Sequence, residues 1–427
     1  MKKIALLLAA MVCFSAAAMA EEEEGFVSLF NGQDLTGWTV NGGYATYAVE
    51  DGCIVGTCAP DKPMNTFLCT DKEYGNFILK FQVKFLENGN SGCQFRSHTR
   101  PENGRNRVYG YQCEIEPSGR DCGHIYDEGR RGHTKGYVWF DTFTPQERFD
   151  ASQADWKVGD WNDVEIQAVG PSIKTWINGH LVADIMDTYD MTGFIGLQVH
   201  AGKACKVAWK NIRIKDLGVS EWKSFFVKGD DGKYKLENAY FVLPQEWSFM
   251  EDGTLHGDHK SAEKRDGLVI SNDNYDNFAA RVTYRMNGGN SALYFRAEET
   301  EAPWVLRGWQ NEIANNSKDS ALWHTAGIIK GKMIGGRGWV VSNDEIVEKV
   351  RNKNVPEEWN TTATIAIGDR MVQTLNGYCT SDIVDPKCEK TGKLGLQMHG
   401  GTDCEMFFKN WDYMPITPEM VELINRK

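Results

Sequence analysis

The sequence contains two copies of one long pattern, and the copies lie about 200 residues apart. NSGCQFR at residues 90–96 returns as NSALYFR at 290–296, and GYQCEI at 110–115 returns as GWQNEI at 308–313. The shared motifs keep the same order in both halves. Because this period is much longer than one solenoid repeat or one propeller blade, the pattern predicts a tandem duplication of a whole domain.

Two stretches in the first copy alternate between polar and apolar residues, as half-buried strands do. The side chains predicted on the polar face are Gln94, Arg96 and His98 in the first stretch, and Gln112, Glu114 and Glu116 in the second. This mixture of amide, guanidinium, imidazole and carboxylate groups is typical of a sugar-binding or catalytic surface. A solvated outer face is the alternative that the alternation leaves open.

Short alternating stretches recur along the rest of the chain and predict β-strands. Examples are Phe77–Phe85, Val164–Val169 and Ile173–Ile177, with tight-turn signals such as Asn178-Gly179 between strands. Helical periodicity is scarce and is clearest at Thr417–Arg426. Many short strands without intervening helices predict an all-β protein built from two-sheet sandwiches.

The N-terminus has the pattern of a secretory signal peptide. Lys2 and Lys3 precede an apolar run, which ends in Ala18-Met19-Ala20. Cleavage after Ala20 would give a periplasmic or secreted protein without membrane insertion, because the run is too short to span a bilayer. The net charge is −12 for the whole chain and −14 without the two lysines. This negative balance disfavours nucleic acid as a partner, whereas neutral sugars are compatible with it.

The ten cysteines outside the signal peptide show no zinc-site spacing. Export permits disulfides. Cys93 and Cys113 alternate with apolar residues, which favours buried small hydrophobic side chains at both positions. The sequence requires no cofactor and no metal, although its His and Glu side chains are compatible with a divalent cation.

Ordered motifs in the first copy resemble the 3-keto-disaccharide hydrolase family, whose fold is a concanavalin A-like lectin/glucanase jelly roll. The motifs are SLFNGQDLTGW from residue 28, EDG from 50, TDKEYGNF from 70, GNSG from 89, GYQCEI from 110 and IGLQVH from 195. The resemblance covers residues 27–215 nearly continuously and about 247–413 more loosely. It implies two tandem jelly-roll domains, predicted at 26–216 and 222–415.

Membership of that family implies an exported enzyme that cleaves glycosides oxidised to a ketone at C3. The ketone acidifies the C2 hydrogen, so a base can remove it, the C1 aglycone is expelled, and water adds afterwards. The residue types that fit are Glu114 as base or acid, Arg96 at the enolate oxygen, and His200 or His124 at the leaving group. The substrate-binding residues predicted beside them are Gln112, Glu116, His98, Gln198, Trp176, Gln310, Glu312, Arg296 and His399.

The chain departs from the family pattern at the carboxylate. A common family form is GYEVQI, whereas here Gln112 precedes Glu114 and Gln310 precedes Glu312. Two alternatives therefore stand beside the keto-glycoside enzyme. One is a lectin-like protein that binds glycans without cleaving them, and the other is an ordinary glycoside hydrolase that uses Glu114 and Glu116 as paired carboxylates.

Six tryptophans are candidates for stacking on sugar rings. They are Trp139, Trp156, Trp176, Trp309, Trp323 and Trp339. Most tryptophans in a sandwich belong to the core. Trp176 shares a strand face with Lys174, which predicts that it is exposed.

Overall fold

The computed structural model describes residues 23–131, 146–202, 204–351 and 358–427. The predicted signal peptide and Trp139 lie outside these ranges. None of the helices in the described ranges is both long enough and apolar enough to cross a membrane.

Two antiparallel sheets form the first repeat. Its elements are β1 (Val27–Ser28), β2 (Trp38–Gly42), β3 (Thr46–Glu50), β4 (Cys53–Thr57), β5 (Thr66–Thr70), β6 (Phe77–Glu87), β7 (Ser91–Glu102), β8 (Arg105–Ile115), β9 (Ile125–Glu128), α1 (Gln146–Ala154), β10 (Asn162–Val169), β11 (Ser172–Ile177), β12 (His180–Met186), β13 (Phe194–Val199) and β14 (Lys206–Asp216). One sheet has the order β12-β11-β10-β6-β14-β4-β3, with β1 paired to β14. The other has the order β2-β5-β13-β7-β8-β9 and is called the site sheet below.

The second repeat has the same layout, followed by a C-terminal helix. Its strands are β15 (Lys223–Ser224), β16 (Phe226–Lys228), β17 (Tyr234–Leu236), β18 (Ala239–Val242), β19 (Trp247–Phe249), β20 (Leu255–His259), β21 (Gly267–Ser271), β22 (Phe278–Asn287), β23 (Asn290–Glu299), β24 (Leu306–Ala314), β25 (Leu322–His324), β26 (Gly327–Ile329), β27 (Lys332–Ile334), β28 (Gly338–Val341), β29 (Asn360–Ile367), β30 (Arg370–Leu375), β31 (Tyr378–Val384), β32 (Lys393–Met398) and β33 (Cys404–Pro415). Its helices are a 3₁₀ turn (Pro244–Glu246), α2 (Asp344–Val350) and α3 (Pro418–Ile424). Its site sheet has the order β18-β21-β32-β23-β24-β25-β28, and the opposing sheet is β19-β20-β33-β22-β29-β30-β31 with β15 paired to β33.

The core of each repeat lies between its two sheets. In the first repeat, Phe95 and Tyr111 stack with ring centroids 5.6 Å apart. Cys93 and Cys113 are cross-strand partners and both are fully buried, which confirms the prediction for these cysteines. The apolar face of the alternating stretches therefore packs into the sandwich, and their polar face is left for the outer surface of the site sheet.

A β-bulge interrupts the alternation in β7. The pairing of β7 with β8 shifts register between Phe95 and His98, and Arg96 adopts a φ of 44° within this bulge. The second repeat has the same device, because Arg296 has a φ of 45° and β23 shifts register between Phe295 and Glu298. A bulge adds one residue to a strand, so side chains beyond it no longer follow the face assigned by simple alternation.

The C-terminal segment after the second repeat packs onto the first repeat. Gln167 Nε2 donates to Leu423 O at 2.9 Å, and Lys174 Nζ donates to Arg426 O at 2.7 Å. The guanidinium of Arg426 lies 4.5 Å from the ring centre of Trp176. Trp176 is only 4% exposed as a result, so its predicted exposure is wrong because this segment covers the strand face.

A second contact between the repeats involves the turn before β31. Arg131 donates to the carbonyl of Gly377, and the hydroxyl of Tyr378 donates to Arg131 O at 2.9 Å. Arg131 is itself buried between Asp127 and Asp187, and Asp127 belongs to β9. The second repeat is thus connected to an edge of the first repeat's site sheet.

We expect Gly377→Ala to weaken this contact. Gly377 has a φ of +82°, and a Cβ there would overlap the ring of Tyr189. Gly179 is the matched control, because it follows Asn178 in the corresponding turn with a φ of +85° and has nothing within 4 Å of its Cβ position. Both variants carry the cost of a left-handed alanine, about 1 kcal/mol. Urea unfolding should show Gly377→Ala to be less stable than Gly179→Ala by about a further 1 kcal/mol; equal stabilities would mean that the half-exposed Tyr189 ring moves aside and that the contact does not depend on its position.

Candidate active site

A pocket of about 370 Å³ lies on the polar face of the first repeat's site sheet. Five strands, or residues next to their ends, contribute to it: β5, β7, β8, β9 and β13. Its lining residues are Met64, Asn65, Asn90, Arg107, Gln112, Glu114, Tyr126, Glu128, Gln198 and His200. The structure therefore brings together four residues predicted from sequence, namely Gln112, Glu114, Gln198 and His200.

Glu114 is held by a network of amide side chains. Asn90 Nδ2 donates to its Oε1 at 2.6 Å, and Gln112 Nε2 donates to its Oε2 at 2.8 Å. The Oε1 of Gln112 in turn accepts from Gln94 Nε2 at 2.9 Å and from Gln198 Nε2 at 2.8 Å. Because Gln94, Gln112 and Gln198 are almost completely buried, the network fixes the carboxylate orientation.

Burial raises the pKa of Glu114 to about 7, although hydrogen bonds from Asn90 and Gln112 oppose this shift. A carboxyl group with this pKa is present in both protonation states near neutral pH. That property suits a group that must accept and then release a proton. Burial also raises the pKa of the equivalent Glu312 to about 7.

The raised pKa predicts how Glu114 affects stability. A carboxyl group whose folded pKa exceeds its unfolded value contributes stability that is complete below about pH 4.5 and is lost as the pH rises through about 7. We therefore expect the stability of the wild type, relative to Glu114→Gln, to fall by on the order of 3 kcal/mol across this window. Urea unfolding of both proteins from pH 4 to 8 measures this difference, and a constant difference would contradict it.

The two candidate histidines differ in their environment. His200 is exposed at the pocket rim, and its Nδ1 lies 2.6 Å from Ala201 O. Since Nδ1–H donates to that carbonyl, Nε2 is the nitrogen left to exchange a proton. His124 lies next to Glu114, because its carbonyl accepts from the Glu114 N–H at 2.8 Å. Its side chain is 2% exposed, and burial lowers its pKa to about 3, which makes it neutral at physiological pH.

The structure does not place Arg96 in the pocket. Its Nε donates to Gly75 O at 2.8 Å and its Nη1 to Gly170 O at 2.9 Å, in a fully buried position. Arg296 likewise donates to Gly368 O at 2.8 Å. The bulge explains why alternation assigned these arginines to the wrong face, and the enolate role predicted for Arg96 does not fit this placement.

Three other predicted residues also lie away from Glu114. His98 Nε2 is 3.7 Å from Asp190 Oδ1, beyond the bulge. Glu116 follows the end of β8 and accepts hydrogen bonds from Ser118 and the Arg120 backbone. It is not among the residues that line the pocket around Glu114. Trp176 lies on the opposite sheet.

Sequence reasoning missed several residues that line the pocket. Arg107 Nη2 donates to Glu128 Oε1 at 3.3 Å, and Asn65 Nδ2 lies 3.5 Å from Glu128 Oε2. Burial raises the pKa of Tyr126 to about 12, so its phenol remains a donor. Asn90 could have been found from sequence, because it begins the repeated motif and returns as Asn290.

The second repeat keeps the central part of this arrangement. Asn290 Nδ2 donates to Glu312 Oε1, and Gln310 Nε2 donates to Gln397 Oε1 at 3.3 Å. His399 resembles His200, since its Nδ1 lies 2.9 Å from the next carbonyl, Gly400 O.

The side chains around Glu312 differ from those around Glu114. Backbone pairing identifies the equivalent positions: the N–H of Glu114 donates to His124 O, and the N–H of Glu312 donates to Ala321 O. Ala321 therefore takes the place of His124. By the same register Trp323 replaces Tyr126 and Thr325 replaces Glu128.

No three His, Cys, Asp or Glu side chains among the described residues are grouped as they would be around a metal ion.

Comparisons with known proteins give the following matches. The family described as 3-keto-alpha-glucoside-1,2-lyase-like domain matches residues 25–215 and again residues 220–412. Similar solved structures include a proposed glycosyl hydrolase from Parabacteroides distasonis, at 25% identity over 45% of this chain and 94% of that chain, with a TM-score of 0.33. The Bacillus licheniformis beta-glucanase matches at 10% identity over 47% of this chain and 99% of that chain, with a TM-score of 0.31. A search of curated proteins found no match.

The sheets and the repeated match define a protein of two tandem concanavalin A-like jelly rolls, as predicted from sequence. The chain belongs to the family of 3-keto-alpha-glucoside-1,2-lyase-like domains, and it contains two copies of that domain. This confirms the resemblance found in the sequence.

Proposed function

We propose that the first repeat cleaves glycosides that carry a ketone at C3 of the sugar. The observation that supports this proposal most strongly is Glu114, a buried carboxyl group with a pKa of about 7 that is oriented by Asn90 and Gln112 inside a pocket. Family membership supports this choice of substrate class.

The reaction proceeds by elimination followed by hydration. Glu114 removes the C2 proton, and the electron pair of that C–H bond forms an enolate with the C3 carbonyl. When the enolate collapses, the C1–O bond breaks and the aglycone leaves as an alcohol after it receives a proton. Water then adds its oxygen to C1 and its proton to C2, which gives the free 3-keto sugar. Glu114 releases the C2 proton to solvent, and His200 regains a proton from solvent.

The remaining pocket residues have matching roles. Arg107 is a cation in the pocket wall and Tyr126 is a phenol that remains protonated, so both can stabilise negative charge on the enolate oxygen. Protonated His200 delivers a proton from Nε2 to the leaving oxygen. The carbonyl of His124, which lies just before β9, supports Glu114 by accepting from its N–H, and the neutral His124 side chain does not bring a second charge to the site.

The place of action belongs to the same proposal. The pattern of residues 1–20 supports export, after which the enzyme would meet its glycoside in the periplasm or outside the cell.

The test is to incubate the full chain with a 3-keto glucoside and, separately, with the unoxidised glucoside, and to measure released aglycone together with calorimetric binding. The proposal predicts release from the keto form alone. Binding without release from either sugar would instead support a lectin, and release from the unoxidised glucoside would support an ordinary glycosidase.

A further inference from the structure

Two tryptophans of the second repeat, Trp323 and Trp339, are aligned with Gln310 across the neighbouring strands β24, β25 and β28. Gln310 of β24 pairs with Trp323 of β25, and Trp323 pairs with Trp339 of β28. Directly paired residues on adjacent strands point to the same face of a sheet. The two indole rings therefore lie on the polar face beside Gln310, with centroids 4.7 Å apart and planes at 73°.

The exposure of these two tryptophans is unusual for aromatic residues. Trp339 is 49% exposed and Trp323 is partly exposed, whereas Trp309 on the inner face of the same sheet is fully buried. An indole left on a sheet surface exposes a large apolar area to water without contributing to the core. Beside it, Gln310 and Glu312 provide groups that can donate and accept hydrogen bonds.

We propose that Trp323 and Trp339, together with Gln310 and Glu312, form a carbohydrate-holding site in which a pyranose ring stacks on the exposed indole of Trp339, with Trp323 beside it. A pyranose has an apolar face of C–H groups and a rim of hydroxyl groups. The indoles match the face, and the amide and carboxyl groups match the rim. This inference deepens the proposed function, because the sugar ligand class rests on it.

The substitutions in the second repeat favour holding over cleavage. Val305 stands where the first repeat has Arg107, counting back from Gly308 and Gly110, so the pocket cation is replaced by an apolar side chain. Ala321 and Thr325 replace His124 and Glu128. The second repeat keeps Glu312, Gln310 and Gln397, and Asp266 accepts from Gln397 Nε2 at 2.8 Å. It lacks the equivalents of Arg107, His124 and Glu128 and has a larger aromatic surface instead.

The experiment uses the full chain with Glu114→Gln, so that a bound keto sugar is not consumed. Calorimetry with the 3-keto glucoside and with maltose measures binding before and after Trp339→Ala is added. Since Trp339 is exposed, this change should leave the fold intact, and circular dichroism checks that it does. We expect the affinity of the second repeat to fall about tenfold or more for either sugar, with partial recovery in Trp339→Phe.

Trp161→Ala is the matched control, because Trp161 is partly exposed in the first repeat and contacts Lys210 rather than the site amides. It should leave both isotherms unchanged. Isotherms that are the same with and without Trp339→Ala, or a chain that binds neither sugar through the second repeat, would overturn the inference. Cleavage is measured separately on chains that keep Glu114. Because stacking does not need the ketone, Trp339-dependent maltose binding together with no cleavage by the wild type would reject the proposed activity and keep this site, and wild-type cleavage without such binding would do the reverse.

Discussion

Replacing Glu114 by Gln should lower the rate of aglycone release by about 10² to 10⁴ while the protein remains folded. The amide keeps the shape of the side chain, and its one oxygen can still accept from Asn90 Nδ2 or Gln112 Nε2, the two donors that hold the carboxylate at 2.6 and 2.8 Å in the wild type. It cannot accept the C2 proton at neutral pH. The initial rate of release from a 3-keto glucoside measures the effect.

Glu312→Gln is the matched control for this prediction. The pKa of Glu312 is also raised to about 7, and Asn290 donates to it as Asn90 donates to Glu114, but the other side chains around the two carboxyl groups differ. We expect this variant to retain most of the wild-type rate of release. Full activity in Glu114→Gln together with loss of activity in Glu312→Gln would reverse the assignment of the two repeats, and full activity in both would remove the carboxyl groups from the mechanism.

Replacing Arg96 by Met should destabilise the protein by about 3 to 5 kcal/mol. The guanidinium is fully buried, and its loss leaves the carbonyls of Gly75 and Gly170 without these donors. Burial lowers the pKa of Arg96 to about 10, so the group is still charged at pH 7 and its hydrogen bonds are charge-assisted. The free energy of unfolding in urea measures the change.

Two further variants identify the cause. Arg296→Met should lower stability by a similar amount. Arg296 lies in the equivalent bulge of the second repeat and donates to Gly368 O and Asp276 O. Arg107→Met should cost less stability than Arg96→Met, since the Arg107 side chain is 30% exposed and Glu128 keeps Asn65 as a neighbour. If Arg96→Met kept wild-type stability but lost turnover, Arg96 would have the catalytic role that alternation assigned to it, and the structural account of this residue would be wrong.

The sequence predicts the fold well because strand alternation and duplication are both local patterns. The repeated motifs separate the two domains, and Gln112, Glu114 and Gln198 lie on the polar face where alternation places them. Asn90 is visible as the first residue of the repeated motif. For these residues, position along a strand is enough to determine the face of the sheet.

The same reasoning fails where the chain departs from a regular strand or where distant segments meet. The bulge at Arg96 changes which way the side chain points, although the polar–apolar order of the sequence is unbroken there. Trp176 is covered by a segment about 250 residues later in the chain. Asn65 lies just before β5, and Glu128 ends β9. The fold of the site sheet brings both residues to one pocket although β13, β7 and β8 lie between these two strands, and no spacing along the chain indicates this.

The most direct test of the central claim follows the hydrogen at C2. A 3-keto glucoside that carries deuterium at C2 is given to the wild-type protein in ordinary water, and the label in the sugar product is measured at early times, with Glu114→Gln as the control for spontaneous exchange. Elimination predicts that deuterium is lost in step with release of the aglycone and that release is slower than from the unlabelled substrate. Release of the aglycone with deuterium retained at C2 would contradict the account, and so would the absence of any release.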